Sequence, residues 1–176
     1  MKREKICEKA LAELKTGDLN ALSVIYDTMA RQIFSLAYTI TGNYCDAEDA
    51  LQDTFLKYLT KAPEFESEEH EKAWLIKVAT NTSKNAVLLK KRRKTVDLDE
   101  LRSIGIEDED SEVFESIMAL PVKFKIVMTL YYIEGYNSKE ISKIIGVSAD
   151  AVRKRLQKGR ELLKMEIERC NGYEFK

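Results

Sequence analysis

Histidine is almost absent from this sequence: His70 is the one copy among 176 residues. A lone imidazole in an acidic stretch, with no Cys or second His beside it, is ordinarily solvated and does not build a metal site. The GxxxxGK[ST] phosphate loop and the GxSxG nucleophile turn are missing too. We therefore expect no enzyme, no cofactor and no metal. Cys7, Cys45 and Cys170 are odd in number and far apart. They give neither a disulfide framework nor a CxxC pair, which suits a reducing cytoplasm.

Proline occurs only at Pro63 and Pro121, and glycine seven times, so few positions break a helix. Ala, Leu, Ile, Lys and Glu dominate, and 44% of the residues are hydrophobic. That suffices for helical cores in one medium domain or two small ones. We expect an all-α fold. No run approaches the roughly 18 apolar residues of a membrane span. The opening MKREKICEKALAEL is charged within its apolar pattern, so we expect a soluble, unprocessed, cytoplasmic chain.

Net charge is equally scarce, at -1. A protein that coats nucleic acid on its own neutralises many phosphates, and this balance argues against that. The average conceals strong segregation. Lys84 and the run Lys90, Lys91, Arg92, Arg93, Lys94 form one basic block; Arg153, Lys154, Arg155, Lys158, Arg160 and Lys164 form another. Between them Asp97, Asp99, Glu100, Glu107, Asp108, Glu109, Asp110, Glu112 and Glu115 face a single cation, Arg102.

Residues 3 to 15 place Ile6, Ala10, Leu11 and Leu14 at helical spacing, and Thr16-Gly17-Asp18 supplies a stop and then a cap. From Leu19 to about Thr41, Leu22, Ile25, Met29, Ile33, Phe34, Ala37, Tyr38 and Ile40 recur every three or four residues, and Gly42 ends the run. Asp46 is expected to cap a third helix, DAEDALQDTFLKYL, with Ala47, Leu51, Phe55, Tyr58 and Leu59 on one side. Glu48, Asp49, Gln52 and Asp53 point elsewhere and form an acidic strip at i, i+4 spacing. A solvated helix face accounts for most such strips; as a docking surface it needs a basic partner.

Residues 60 to 71, TKAPEFESEEHE, contain Pro63 and lack helical periodicity, so an exposed loop carrying Phe65 and His70 is expected. A long helix follows, Lys72 to about Lys94. Trp74, Leu75, Val78, Ala79, Thr82, Ala86 and Leu89 face its core, and Lys77, Asn81, Lys84 and Asn85 turn away. Cations at its end complement the helix dipole. Five in a row exceed what capping requires, which favours phosphate contact by Lys90, Lys91, Arg92 and Arg93.

Residues 95 to 111 have the composition of an acidic flexible linker, dividing an N-terminal domain, 1 to 94, from a C-terminal one, 112 to 176. A short helix is expected from about Ser111 to Met118, before Pro121. Lys123 to Glu134 forms the next, with Phe124, Ile126, Val127, Leu130, Tyr131 and Ile133, and Gly135 closes it. In YNSKEISKIIGVSADAVRKRLQKGRELL, Asn137 or Ser138 caps one helix, Gly146 supplies a positive-φ turn, and Ser148 caps a second. That second helix buries Val152, Leu156 and Leu163 and exposes Asp150, Arg153, Lys154, Arg155 and Lys158. Such a hairpin could be a plain bundle element. Its capped turn and cation density favour a helix-turn-helix whose second helix enters the major groove, with Lys154 and Arg155 at base edges.

The span from Ile117 to Lys164 resembles the C-terminal promoter-binding domain of bacterial extracytoplasmic-function sigma factors, a group of the sigma-70 family. It has the leucine-proline entry, the glycine-bounded aromatic helix and the pattern I-x-x-x-[LI]-G-[IV]-S-x-x-x-V-[KR]-x-R-L. Upstream, DAEDALQDTFLKYL resembles the family's polymerase-docking motif, and KAWLIKVATNTSKNAVLLKKRRK its promoter-reading helix. Together the resemblances cover about residues 18 to 94 and 112 to 164, in family order. Ser142, Ala151 and Thr80 stand where Ala, Thr and Arg are frequent, so promoter sequence is not inferred.

The resemblance implies a transcription initiation factor that binds core RNA polymerase through the coiled coil of its largest subunit and its flap region. Asp46, Glu48, Asp49, Gln52 and Asp53 would dock. Phe65, Trp74, Lys77, Asn81, Lys84 and Asn85, with the basic run after them, would engage minus-ten promoter DNA. Trp74 also lies in phase with its helix's core, and packing is the stronger reading of it. Ser138, Ser148, Asp150, Ala151, Arg153, Lys154, Arg155 and Lys158 would meet the minus-thirty-five element. An anti-sigma factor is a common partner in the family. The alternatives are a stand-alone helix-turn-helix regulator, which needs a dimer and two half-sites, and a helical adaptor.

Overall fold

The structure, a computed structural model, describes residues 19–93 and 116–171. The helix expected over residues 3–15, the acidic segment 95–111 and the first residues of the helix expected from Ser111 lie outside the described residues. The chain divides into two compact units, Met1–Arg92 and Arg93–Lys176. The described residues form helices and turns with no strand among them, as an all-α chain should.

In the first unit, α1 spans Leu19–Thr41, α2 Tyr44–Lys61 and α3 Glu68–Arg93. Gly42 adopts φ 68 and its N–H donates to the Tyr38 carbonyl at 2.8 Å, ending α1. The cap of α2 is Asn43, not Asp46: Asn43 Oδ1 accepts the Asp46 N–H at 2.9 Å, and Asp46 lies in the first turn. An amide one turn earlier satisfies the free helix donor, and the Asp46 carboxylate still faces the positive end of the dipole. Tyr26 meets Phe55 with ring centroids 4.8 Å apart and Phe34 meets Tyr44 at 5.2 Å, so α1 and α2 run antiparallel.

The core of this unit is built by Met29, Ile33, Leu36, Ala37 and Ile40 of α1, Ala47, Ala50 and Phe55 of α2, and Leu75, Ile76 and Ala79 of α3. Ala47 and Ala50 keep the α2 stripe narrow enough for close helix approach. Thr54 and Ser83 are buried among these residues and return their hydroxyls to the carbonyls of Ala50 and Ala79, at 2.7 and 2.8 Å.

Helix α3 starts four residues before the expected Lys72. Ser67 Oγ accepts the His70 N–H at 3.2 Å, and Glu68, Glu69 and Glu71 occupy the first turn, where carboxylates complement the dipole. Acidic residues that look like loop are therefore a helix start. Leu89, expected inside, is 52% exposed, because it lines an open groove and not the packed interface.

The second unit begins in the described set with helical residues 116–119, then α4, Val122–Met128. The helix expected to run on to Glu134 widens after Met128 into a π-helical turn, Thr129–Ile133, closed by the Glu134 N–H donating to the Thr129 carbonyl at 3.0 Å. The added residue rotates everything after it. Leu130 stays fully buried while Tyr131, Tyr132 and Ile133 turn outward, Tyr132 to 54% exposure.

Helices α5, Ser138–Ile145, and α6, Ala149–Asn171, form the expected hairpin. Asn137 Oδ1 accepts from the amides of Lys139 and Glu140, at 2.9 and 3.1 Å, and Glu140 Oε2 accepts the Asn137 N–H at 2.8 Å, a complete capping box. Gly146 has φ 70, a left-handed position that frees the chain to turn. Ser148 Oγ then caps α6 by accepting the Ala151 N–H at 3.2 Å. Ile141, Ile144, Val152 and Leu156 pack with Phe124, Val127 and Leu130. A Cβ on Gly159 would come within 3.1 Å of Met128 Cγ, so α6 crosses α4 where side-chain bulk is least.

Asn137→Ala should remove about 1 kcal/mol of stability, because two amide donors lose their acceptor. Asn137→Asp, which keeps the acceptor, should unfold in urea near the wild-type midpoint.

Candidate nucleic-acid interface

Helix α2 carries the acidic strip on the side away from its buried stripe. Asp49, Gln52 and Asp53 are exposed and Asp46 and Glu48 half-buried. Asp46, Asp49 and Asp53 line one wall of a groove of about 290 Å³, with Thr82, Asn85, Ala86 and Leu89 of α3 opposite. Glu48 points to Tyr44, whose phenol ionises above its ordinary range because of that carboxylate. The strip thus divides: three aspartates share a concave wall with α3, and Glu48 and Gln52 lie off it.

On α3, Lys77, Asn81, Lys84 and Asn85 are all exposed, as expected. At about 100° per residue they share one face with Trp74, and Leu88, 50% exposed, continues it. Nothing in the local pattern marks Leu88, since an exposed leucine breaks the polar pattern instead of extending it. Lys90, Lys91, Arg92 and Arg93 supply the backbone of the last turn, and their side chains lie outside the described residues.

The segment between α2 and α3 is shorter and better held than an exposed loop. Phe65 is half-buried, stacked on Tyr58 at 6.2 Å with rings 6° from parallel. Trp74 meets both edge-on, at 5.9 Å from Phe65 and 6.3 Å from Tyr58, and His70 meets Phe65 at 5.6 Å. Such ring pairs are each worth about 0.5–1.5 kcal/mol beyond area. The Tyr58 hydroxyl donates to Glu71. Partial burial first, then that hydrogen bond, raises the Tyr58 pKa well above the ordinary phenol value. Trp74 is consequently neither core nor free reader: it is half-buried, packed on the residues that hold Phe65. Tyr58 and Glu71 escaped notice because a tyrosine on an apolar stripe and a glutamate in an acidic run carry no signal until the helices meet.

On the hairpin, Asp150, Ala151, Lys154, Arg155 and Lys158 occupy about 140° of α6, opposite Val152, Leu156 and Gly159. Ser148, Asp150, Arg153, Lys154 and Lys158 are exposed; Ala151, Arg155 and, at the start of α5, Ser138 are half-buried. Arg155, expected fully outward, sits at the edge of this face, about 40° around the helix from buried Gly159. Arg153 lies off this face and pairs with Asp150, while Lys158 pairs with Glu161 at 2.9 Å. Exposed pairs of this kind are worth well under about 1 kcal/mol, so both cations can leave for a phosphate. Lys154 and Arg155 have no ion pair among the described residues.

Among the described residues no cluster of His, Cys, Asp or Glu could hold a metal ion, and no helix is long and apolar enough to cross a membrane.

Comparison with known proteins finds a family match in each part of the chain. Sigma-70 region 2 matches residues 25–94, and Sigma-70, region 4 matches residues 111–163. The chain is 26% identical over 183 residues to the ECF RNA polymerase sigma factor SigW of Bacillus subtilis, covering 93% of this chain and 98% of that protein. It is 30% identical over 168 residues to the ECF RNA polymerase sigma factor SigE of Mycolicibacterium smegmatis, covering 85% and 63%. Among solved structures, the sigma factor RpoE in complex with the anti-sigma factor NepR from Bartonella quintana aligns with a TM-score of 0.67 at 16% identity, over 85% of this chain and 98% of that one. CnrH in complex with the cytosolic domain of CnrY aligns at 0.59 and 19% identity, over 93% and 95%. At these identities the two structures speak to the fold alone.

The aromatic cluster has a pH signature. A phenol whose folded pKa is raised contributes stability that is whole below its unfolded value, about 10, and is lost as pH rises beyond it. Tyr58→Phe should lower stability by about 1 kcal/mol at neutral pH. It should also lessen the decline seen when wild type is titrated above about pH 10, as followed by urea unfolding at each pH.

Proposed function

We propose a division of labour for this chain, which belongs to the extracytoplasmic-function group of sigma-70 family RNA polymerase sigma factors and is a promoter-specific transcription initiation factor. Its N-terminal part, residues 1–94, docks on core polymerase through Asp46, Glu48, Asp49, Gln52 and Asp53, whose charge suits the basic coiled coil of the largest subunit. The outward face of α3, with Lys77, Asn81, Lys84 and Asn85, engages the minus-ten element beside the loop held by Phe65 and Trp74. An Asn amide next to an aromatic surface suits a base drawn out of the stack. Lys90, Lys91, Arg92 and Arg93 contact phosphates.

The C-terminal part, residues 112–176, reads minus-thirty-five duplex through Ser148, Asp150, Ala151, Lys154, Arg155 and Lys158, with Ser138 and Arg153 at its margins, and meets the polymerase flap region. Residues 95–111 connect the two as an acidic linker. The protein works in the cytoplasm with polymerase, catalyses nothing itself, and is open to control by an anti-sigma factor. The observation that carries the reading is the pairing of the two region matches, in order, with helices that present an acidic strip, an Asn- and Lys-bearing face and a basic hairpin face. A stand-alone helix-turn-helix regulator is not favoured, because it leaves the region 2 match without a role.

Mapping transcript starts after overexpression supplies the promoters, and reconstitution with core polymerase tests the roles. Lys154→Ala with Arg155→Ala should reduce promoter-specific transcripts by more than about tenfold, since each base-edge contact is worth about 1–3 kcal/mol, with core affinity unchanged. Asp49→Lys with Asp53→Lys should instead abolish the complex with core. A wild-type chain that forms no complex with core refutes the assignment; undiminished transcription by the hairpin variant refutes the reader role.

A further inference from the structure

Lys57 lies on α2 one helical turn beyond Asp53, where an i, i+4 ion pair would be the ordinary expectation. Its ammonium goes elsewhere. Lys57 Nζ donates across the groove to Thr82 Oγ1 at 2.8 Å, bridging residues 25 apart in sequence. Lys57 and Asp53 have no ion pair among the described residues. Thr82 is buried, and it sits between exposed Asn81 and buried Ser83, whose own hydroxyl bonds back to Ala79. Asn85, one turn farther along, lines the same groove as Lys57 and the three aspartates.

One charged donor therefore joins the helix that carries the acidic strip to the helix that carries the two asparagines. A charged hydrogen bond in a partly buried groove is directional, and beside the buried core and the Tyr58–Glu71 bond it adds a constraint on the rotation of α3 about its axis. Rotation is what matters for a reader. Asn81 precedes Thr82 and Asn85 lies one turn beyond it, and a small turn of α3 would carry both amides off a base edge, as any loosely supported site loses its geometry.

We propose that Lys57 is a positioning residue for promoter reading: through Thr82 it sets the orientation of α3, so that a chain docked by its acidic strip presents Asn81 and Asn85 to the minus-ten strand. The inference rests on the roles proposed above for the strip and for α3. Lys57 itself touches neither DNA nor polymerase in this scheme, and Thr82 acts only as its acceptor.

The test uses the full chain assembled with core polymerase and a single-stranded minus-ten oligonucleotide whose sequence comes from mapped starts. Two affinities are measured by fluorescence anisotropy, of the chain for core and of the assembled complex for the oligonucleotide. Lys57→Met keeps the stem and removes the charge; Thr82→Val keeps the shape and removes the acceptor. Each should weaken oligonucleotide binding about five- to tenfold, less than the full worth of a charged hydrogen bond because the loss reaches the strand only through the orientation of α3, and leave core affinity within about twofold. Thr82→Ser, which retains the hydroxyl, should match wild type, and the double variant should bind no worse than the weaker single one.

Oligonucleotide affinity unchanged in Thr82→Val, additive losses in the double variant, or equal losses in both affinities would each overturn the positioning role while leaving the functional reading intact. Should Lys57→Met fold poorly, the comparison of Thr82→Val with Thr82→Ser decides alone. A wild-type chain that joins core yet does not retain the oligonucleotide removes the minus-ten role of α3 and this inference with it.

Discussion

Helix α2 buries Ala47, Ala50, Thr54 and Phe55 along one stripe, and the rest of the first unit is arranged around that burial. With one side committed to the core, the helical period puts Asp49 and Asp53 on the other, where carboxylates keep their water. The same helix then reaches α3 from its remaining flank, with Lys57 gripping Thr82 and Tyr58 gripping Glu71. A single helix thus presents a charged strip, closes a core and sets its neighbour. Loss of the buried stripe would disperse all three.

The second unit obeys the same constraint with fewer residues. Val152, Leu156 and Gly159 face inward on α6, so Asp150, Lys154 and Lys158 must face out. Four cations of this helix, Arg153, Lys158, Lys164 and Arg169, rest on carboxylates of their own helix, and the chain as a whole is close to neutral. Both features work against non-specific binding to DNA, which grows with the phosphates neutralised. In the function proposed, polymerase that holds both units would raise the effective concentration of each for its promoter element.

Most of the helices were legible from periodicity and punctuation. Gly42, Gly135 and Gly146 all occupy positive-φ positions where the sequence put stops, and Asn137 and Ser148 cap where caps were expected. The misses share a cause. Ser67 and the glutamates after it open a helix but look like loop, because acidic residues suit both solvent and a helix N-terminus. Nothing in TLYYI marks a π-helical turn, which keeps Leu130 buried while the three residues after it turn out. Phe65 in a proline-bearing segment looked exposed until Tyr58 and Trp74 closed on it.

The sequence by itself determined the helical class, the candidate faces and their order, because a face needs only a period of 3.6 and a contrast between apolar and charged positions. It also determined which turns demand glycine or a capping amide, since those are properties of a few adjacent residues. Only the tertiary structure decided which polar groups meet. That Lys57 bonds Thr82 and not Asp53, that Asn85 shares a groove with the aspartates, and that Tyr58 holds Glu71 depend on two helices lying side by side. Contacts between residues distant in sequence carry no local pattern, so they exist only once burial of the apolar stripes has fixed how the helices pack.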